Sequence, residues 1–179
     1  MQNLLKAIQR YVTLSETDVS VIGQLFNKKE IKITGTLLKA GDICSEFVFI
    51  ERGLFMHYIN NDGKEETYYF SSENDFICDY ESFVNRTISN KTIVAIEESV
   101  VYSVSSDQMQ RFYSKVSTGE RFGRLLTEEV FTNVVKHILS IHTNYAEQHY
   151  LDFSTRYRHI QQRIPQFILH FLSVLLLSH

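Results

Sequence analysis

Seven histidines, two cysteines and the closely spaced Arg156, Arg158 and Arg163 are the side chains of this 179-residue chain best suited to chemistry. Each needs partners. Cys44 and Cys78 form no CxxC pair, so neither a zinc finger nor a thiol redox motif is offered, and an iron–sulphur cluster needs four thiolates. Two reduced thiols inside a cytosolic protein are the simpler reading. Metal-dependent oxygenases and isomerases built on β-rolls use two histidines one residue apart plus a carboxylate. His57 is the only histidine in the β-rich part of this sequence, so no metal site is expected. A haem ligand among the seven histidines stays open. No nucleophile elbow, Walker loop or dinucleotide fingerprint occurs, and catalysis is not expected. Arg156, Arg158, Arg163 and Gln166, with His159 beside them, could hold phosphates of DNA. The competing reading is that the arginines are solvated charges.

The totals narrow the partners. With 18 Lys and Arg against 21 Asp and Glu, the net charge of -3 argues against a globally basic coat for nucleic acid, so any DNA contact would be a local patch. The N-terminal MQNLLKAIQRYVTL carries charges among its apolar positions and no small-residue cleavage site, so a cytoplasmic location is expected. At the other end, FILHFLSVLLLSH (167–179) has no Lys, Arg, Asp or Glu. A spanning helix needs about 20 apolar residues, and this run is interrupted by His170 and Ser173, so no membrane anchor is expected.

The elements that must position these groups are set by periodicity. Leu4, Leu5 and Ile8, then Ser15 with Asp18 as a capping signal before Val19, Ile22, Leu25 and Phe26, predict short helices over 1–28. From Glu30 the period drops to two in runs rich in Ile, Val, Tyr, Phe and Thr: IKITGTLL, FVFIERG, LFMHYIN, KEETYYF, KTIVAIE and SVVYSVS. So many short strands predict a barrel or sandwich. Asn61-Asp62-Gly63 has the residue chemistry of a tight hairpin turn. Ser105 with Gln108 predicts a capped short helix, and Ser117 with Glu120 repeats the device.

The next segment has Phe122, Leu126, Val130, Val134, Ile138, Ile141 and Tyr145 at helical spacing, with neither Pro nor Gly after Gly123. One helix of about 25 residues would reach nearly 40 Å, longer than one small barrel can cover. A second stripe, Leu125, Val135, Leu139 and His142, lies beside the first. The helix is therefore expected to pack on the barrel with one side and on a second copy with the other, giving a homodimer. The alternative is burial in one large core.

Helical preface, β-roll, long helix and short C-terminal helices, in that order, resemble the Crp/Fnr superfamily of bacterial transcription factors. AEQHYLDF (146–153) and IQQRIPQ (160–166) are similar to the stretch that joins the dimerisation helix to the helix-turn-helix in that family. NDGKEE and DFICDYESF are similar to its sensor domain, most closely to Bacteroidetes versions. The resemblance implies an α+β chain: N-terminal helices and a cyclic nucleotide-binding-like β-jelly-roll over 1–116, a long dimerisation helix over 117–145, and a partial helix-turn-helix over 146–179. It also implies a homodimer that binds a small effector in the roll and thereby controls DNA binding.

In family members that bind cyclic AMP, a Gly-Glu pair serves the ribose, and an Arg about ten residues on, followed by small residues, serves the phosphate. Here Glu81 is the expected ribose acceptor, preceded by Tyr80 rather than Gly, and Ser89, Asn90 and Lys91 stand where the Arg-Ser-Ala would be. Arg and Lys are not equivalent in a bidentate site, so ordinary cyclic-AMP binding is not expected. No cofactor is assigned. An effector pocket of another kind would be lined by Tyr68, Tyr69, Phe70, Glu81, Ser89, Asn90 and Lys91. The competing reading makes the aromatics core strand positions and the charges a solvated rim.

After the FILHFLSV that resembles the first helix of the reading pair, LLLSH brings no Arg, Lys, Asn or Gln to a base edge. The expectation is a truncated or frame-altered reader with impaired DNA binding. The alternative is a sensor and dimerisation module acting through protein contacts, or an inactive remnant.

Overall fold

A computed structural model of the chain describes residues 1–143 and 157–164. It divides into two compact units, Met1–Leu125 and Leu126–His179. In the first, α1 (Gln2–Gln9) buries Leu4 and Ile8 as expected, with Ala7 rather than Leu5 completing the buried face while Leu5 is half-buried. Helix α2 (Glu16–Leu25) begins with the capping box read from the sequence: Ser15 Oγ accepts from the Asp18 N–H at 3.1 Å, and Asp18 Oδ2 accepts from the Ser15 N–H at 2.9 Å.

Eight strands come next: β1 (Asn27–Ile31), β2 (Thr36–Leu38), β3 (Glu46–Arg52), β4 (Phe55–Asn61), β5 (Lys64–Ser71), β6 (Phe76–Ile77), β7 (Lys91–Ala95) and β8 (Ser99–Ser105). They form two antiparallel four-stranded sheets, ordered β1-β8-β3-β6 and β2-β7-β4-β5. This is the jelly-roll arrangement of a mixed helix-and-strand fold, as expected. The run IKITGTLL is not one strand, however. Thr34 turns with φ 66°, so Asn27–Ile31 pairs with β8 while Thr36–Leu38 crosses to the other sheet and pairs with β7. Hydrophobic alternation continues through the break, which is why the sequence pattern alone runs straight past it.

The β4–β5 hairpin turns where Asn-Asp-Gly predicts it. Asp62 and Gly63 both take positive φ (51° and 85°), the Gly63 N–H donates to Asn60 Oδ1 at 2.9 Å, and Asn61 faces Lys64. At the β3–β4 turn Gly53 has φ 126°, and a Cβ there would lie 2.8 Å from the Ser99 Cα. Only glycine fits that approach.

Helix α4 (Ser106–Lys115) carries the expected Ser105–Gln108 capping box. The second device is not formed. Ser117 instead donates its N–H to Asp18 Oδ1 at 2.7 Å and its hydroxyl to Asp18 Oδ2 at 2.8 Å, and α5 (Gly119–Thr143) starts after it. A carboxylate collecting two N–H and two O–H donors outcompetes a local cap, because each bond is charge-assisted. Those bonds, the Ser117 N–H first and then Ser15, hold the Asp18 carboxyl well below the usual range against the opposing effect of burial. Asp18→Ala is therefore expected to lower the unfolding free energy by about 2 kcal/mol at pH 7, through loss of the cap and of the tie to Ser117. Since the folded pKa is depressed, this stabilisation is present above the unfolded carboxylate value of about 4 and is lost as the pH falls through the folded one. Urea titrations at pH 7 and pH 3 check it: a difference between variant and wild type that does not shrink in acid would contradict the assignment.

The core of the roll ends in an aromatic cluster. Phe122, on the first turn of α5, meets Tyr11, Phe76 and Phe112 at ring separations of 5.6, 5.5 and 5.7 Å and is 2% exposed. Phe112 also packs edge-on to Phe26, and Phe76 lies against Phe47 and Phe49. The loop after α1, the end of α2, strands β3 and β6 and helices α4 and α5 are thus joined by ring contacts. Among the described residues no helix is long and apolar enough to cross a membrane.

Candidate effector site

The site forms where β6 leads into the short helix α3 (Tyr80–Asn85) and returns through Ser89 to β7. Asp79 is the N-cap residue of α3, and its carbonyl accepts the Phe83 N–H at 2.8 Å. Its carboxylate is not used as a cap. Oδ2 accepts from Ser89 Oγ at 2.7 Å and Oδ1 accepts from Lys91 Nζ at 2.6 Å. The side chain of Asp79 is 4% exposed while that of Lys91 is 33% exposed. Burial pushes the Asp79 carboxyl up, but the Lys91 and Ser89 hydrogen bonds and the Lys91 charge outweigh it and hold the group below its ordinary value.

The surrounding loops are stitched to this pair. Ser89 Oγ also accepts from the Lys91 N–H at 3.0 Å, the Ser89 N–H donates to the Asp42 carbonyl, and the Ser89 carbonyl accepts from Gly41. Ser82 Oγ accepts the Cys44 N–H at 2.8 Å and donates to the Thr87 carbonyl at 2.6 Å. Cys44 is buried and Cys78, preceding Asp79, is half-buried; burial pushes both thiols up, so neither is an activated nucleophile.

Neutral polar groups complete the site. His57 on β4 is buried, hydrogen-bonded with Ser71 Oγ at 2.9 Å, and lowered to about 4 by burial and by the Lys91 charge, so it is neutral at pH 7. The Tyr68 phenol is pushed up to about 12, first by burial and then by the Asp79 charge, although its side chain is still half exposed. The His57 ring lies edge-on to Tyr68 and Tyr69, at 6.1 and 5.4 Å. The formal charge of the group is one carboxylate balanced by one ammonium.

Of the seven residues predicted to line a pocket, the structure joins Ser89 and Lys91 to Asp79 and sets Tyr68 and Tyr69 against His57. Phe70 is a core residue, and Glu81 and Asn90 are exposed. The carboxylate that faces the cation is Asp79 and not Glu81, because Asp79 closes the N-terminal end of α3 while Glu81 lies on its outer side.

Residues 28–116 match the cyclic nucleotide-binding domain family. The chain carries a cyclic nucleotide-binding domain. The fold of this domain is shared with the catabolite activator protein of Thermus thermophilus, at 11% identity and a TM-score of 0.62, covering 73% of this chain and 60% of that one. It is also shared with the sensor domain of the transcriptional regulator DNR from Pseudomonas aeruginosa, at 14% identity and a TM-score of 0.60, covering 76% and 89%. The regulatory domain of Toxoplasma gondii PKA, solved with cAMP, matches at 15% identity and a TM-score of 0.54, covering 62% and 43%. The chain therefore spans less than two thirds of the catabolite activator and of that PKA domain. No protein of curated function matches it in sequence. Within this cyclic nucleotide-binding domain, Lys91 is already bound to a carboxylate of the same chain.

The residues expected at a dimer interface divide. Phe122 is corrected: it points into the aromatic cluster of its own domain, because the start of α5 packs on α4. Leu126 is half-buried, and Val130, Val134 and Ile138 are exposed. Phe131, absent from both sequence stripes, is 68% exposed, more than any other large apolar residue of the helix among the described side chains. The side chain of Ile141 and all of Tyr145 lie outside the described residues, as do Arg156, Gln166 and, apart from 157–164, the helix-turn-helix expectation for 146–179. Of the DNA-phosphate candidates, Arg158 is exposed and Arg163 is half-buried on the turn Gln161–Arg163.

Proposed function

We propose that the chain is a Crp/Fnr-type regulator: a cyclic nucleotide-binding domain that responds to a small effector other than a cyclic nucleotide, working as a homodimer through α5, with DNA as its target. The observation that carries this reading is the exposed apolar face of α5. Val130, Phe131, Val134, Val135, Ile138 and Leu139 are 38–68% exposed along the part of the helix beyond the aromatic cluster. A strip of that kind in water calls for a second apolar surface, and a second copy offers the same strip in a self-complementary pairing. The Crp/Fnr resemblance supports the same arrangement.

Light scattering tests the dimer. Wild type is expected to be dimeric at tens of micromolar, and Val134→Asp with Ile138→Asp to shift it to monomer, weakening association by about 100-fold or more, while the thermal transition of the roll stays within a few degrees. A strictly monomeric wild type at that concentration would remove the reading. A gel-shift titration on the DNA upstream of its own gene separates the two outputs. Salt-sensitive, sequence-selective retardation would support transcriptional control. A dimer without retardation would place the output in protein contacts.

A further inference from the structure

The two members of the Asp79–Lys91 pair are unequally held, and the inequality bears on effector chemistry. Asp79 is fixed. Its carboxylate is buried, receives Ser89 Oγ, and belongs to a backbone anchored at Phe83, while Ser89 is tied to Gly41 and Asp42. Lys91 is the movable partner, a four-carbon stem whose side chain is one-third exposed at the start of β7. The partner that can be exchanged is therefore the ammonium.

An anion arriving at Lys91 would have to strip it from Asp79, leave a buried carboxylate unpaired, and then lie beside that carboxylate. Each of these costs free energy. A cation has no such conflict. It takes over the contact with Asp79, and Lys91, already partly in water, swings out at little cost. Tyr68, half exposed and edge-on at 6.1 Å to His57, whose strand pairs with the one that carries Lys91, is the aromatic side chain nearest to hand for the body of such a ligand.

Given the sensor function proposed for this domain, on which the inference rests, we propose that its effector is a small organic cation, a primary ammonium or guanidinium compound with an uncharged body, which displaces Lys91 from Asp79 beside Tyr68. Lys91 then acts as a tethered stand-in for the effector. Asp79, which the residue pattern passes over in favour of Glu81, is the group that recognises it.

Isothermal titration of the full chain with phenethylammonium chloride tests this, with sodium phenylacetate and cyclic AMP as anionic counterparts. Wild type is expected to bind the ammonium weakly, and Lys91→Met at least about tenfold more tightly because the internal competitor is gone. Adding Asp79→Asn to Lys91→Met should abolish the gain, and the two anions should show no binding to any of the three proteins. Lys91→Gln serves as a second charge-removing variant if Lys91→Met does not fold. The proposal is overturned if neither variant binds the ammonium more tightly than wild type, if the gain survives Asp79→Asn, or if wild type binds phenylacetate or cyclic AMP. Failure here with a dimeric wild type would remove the ligand class and leave the sensor-dimer reading standing. A monomeric wild type that shows the gain would do the reverse.

Discussion

Phe122→Ala is expected to lower the unfolding free energy of the roll by about 3–5 kcal/mol, the range for deleting a buried phenylalanine whose neighbours cannot close the gap. Phe122 is 2% exposed and contacts Tyr11, Phe76 and Phe112, which come from a loop, a strand and α4. Rings held by three separate elements collapse poorly into a void, so the cavity cost is retained as well as the lost transfer energy. The same variant discriminates between the two roles the sequence leaves open for this residue. A core role predicts a lower denaturant midpoint at every protein concentration with little change in self-association. An interface role predicts weaker association with the roll unaltered. A loss below about 1 kcal/mol in a urea titration would rule out the core assignment.

The second large effect is expected from Lys91→Met. Removing the ammonium leaves Asp79 buried with Ser89 as its remaining side-chain donor and Tyr68 close by, a loss of about 3 kcal/mol at pH 7. That is the low end for a broken buried pair, because Lys91 still reaches water in the wild type. The pH dependence has a definite sign. In the wild type the Asp79 carboxyl is held below its ordinary value, so the pair stabilises the fold above the unfolded carboxylate value of about 4, and that contribution is lost as the pH falls through the folded value. In the variant, burial is no longer opposed by the lysine and the carboxyl rises. The deficit should then shrink as the pH is lowered from 7, because Asp79 takes up a proton at a higher pH in the variant than in the wild type. Thermal or urea unfolding of both proteins from pH 7 downwards measures it. A deficit that grows on acidification would mean that Asp79 is not the group left exposed to the loss. The double variant Lys91→Met with Asp79→Asn should recover part of the stability, since neither charge is then buried alone.

Much of the fold was legible because its signals are local. A capping box needs two residues three apart, and both Ser15–Asp18 and Ser105–Gln108 form as read. A hairpin of the Asn-Asp-Gly type needs positive φ at its central residues, and Asp62 and Gly63 supply it. Strand periodicity located the roll because one face of each sheet must be apolar. The same local logic failed where a distant group competed. Ser117 had a plausible partner three residues on, but Asp18, 99 residues away in sequence, offered a carboxylate. The break at Thr34 failed for a related reason, since alternation records which side is buried and is silent on which sheet the strand joins.

The candidate site shows the same division. Residue types in DFICDYESFVNRTISNK made a cation, a carboxylate and hydroxyls available within one loop, and the absence of an arginine at its end was plain from the sequence. Which carboxylate turns inward was not, because Asp79 and Glu81 are two residues apart and the choice depends on where α3 begins. The sequence by itself determined the strand-rich roll, its tight turn, its helix caps, and a long helix with more apolar surface than one side can use. Only the tertiary structure decided that Phe122 faces inward while Phe131 faces out, that Ser117 belongs to Asp18, and that Lys91 is held by Asp79. The physical reason is common to all three. Periodicity and capping are short-range and additive along the chain, whereas the partner of a buried ring or charge is set by competition among groups that only the folded topology brings within reach.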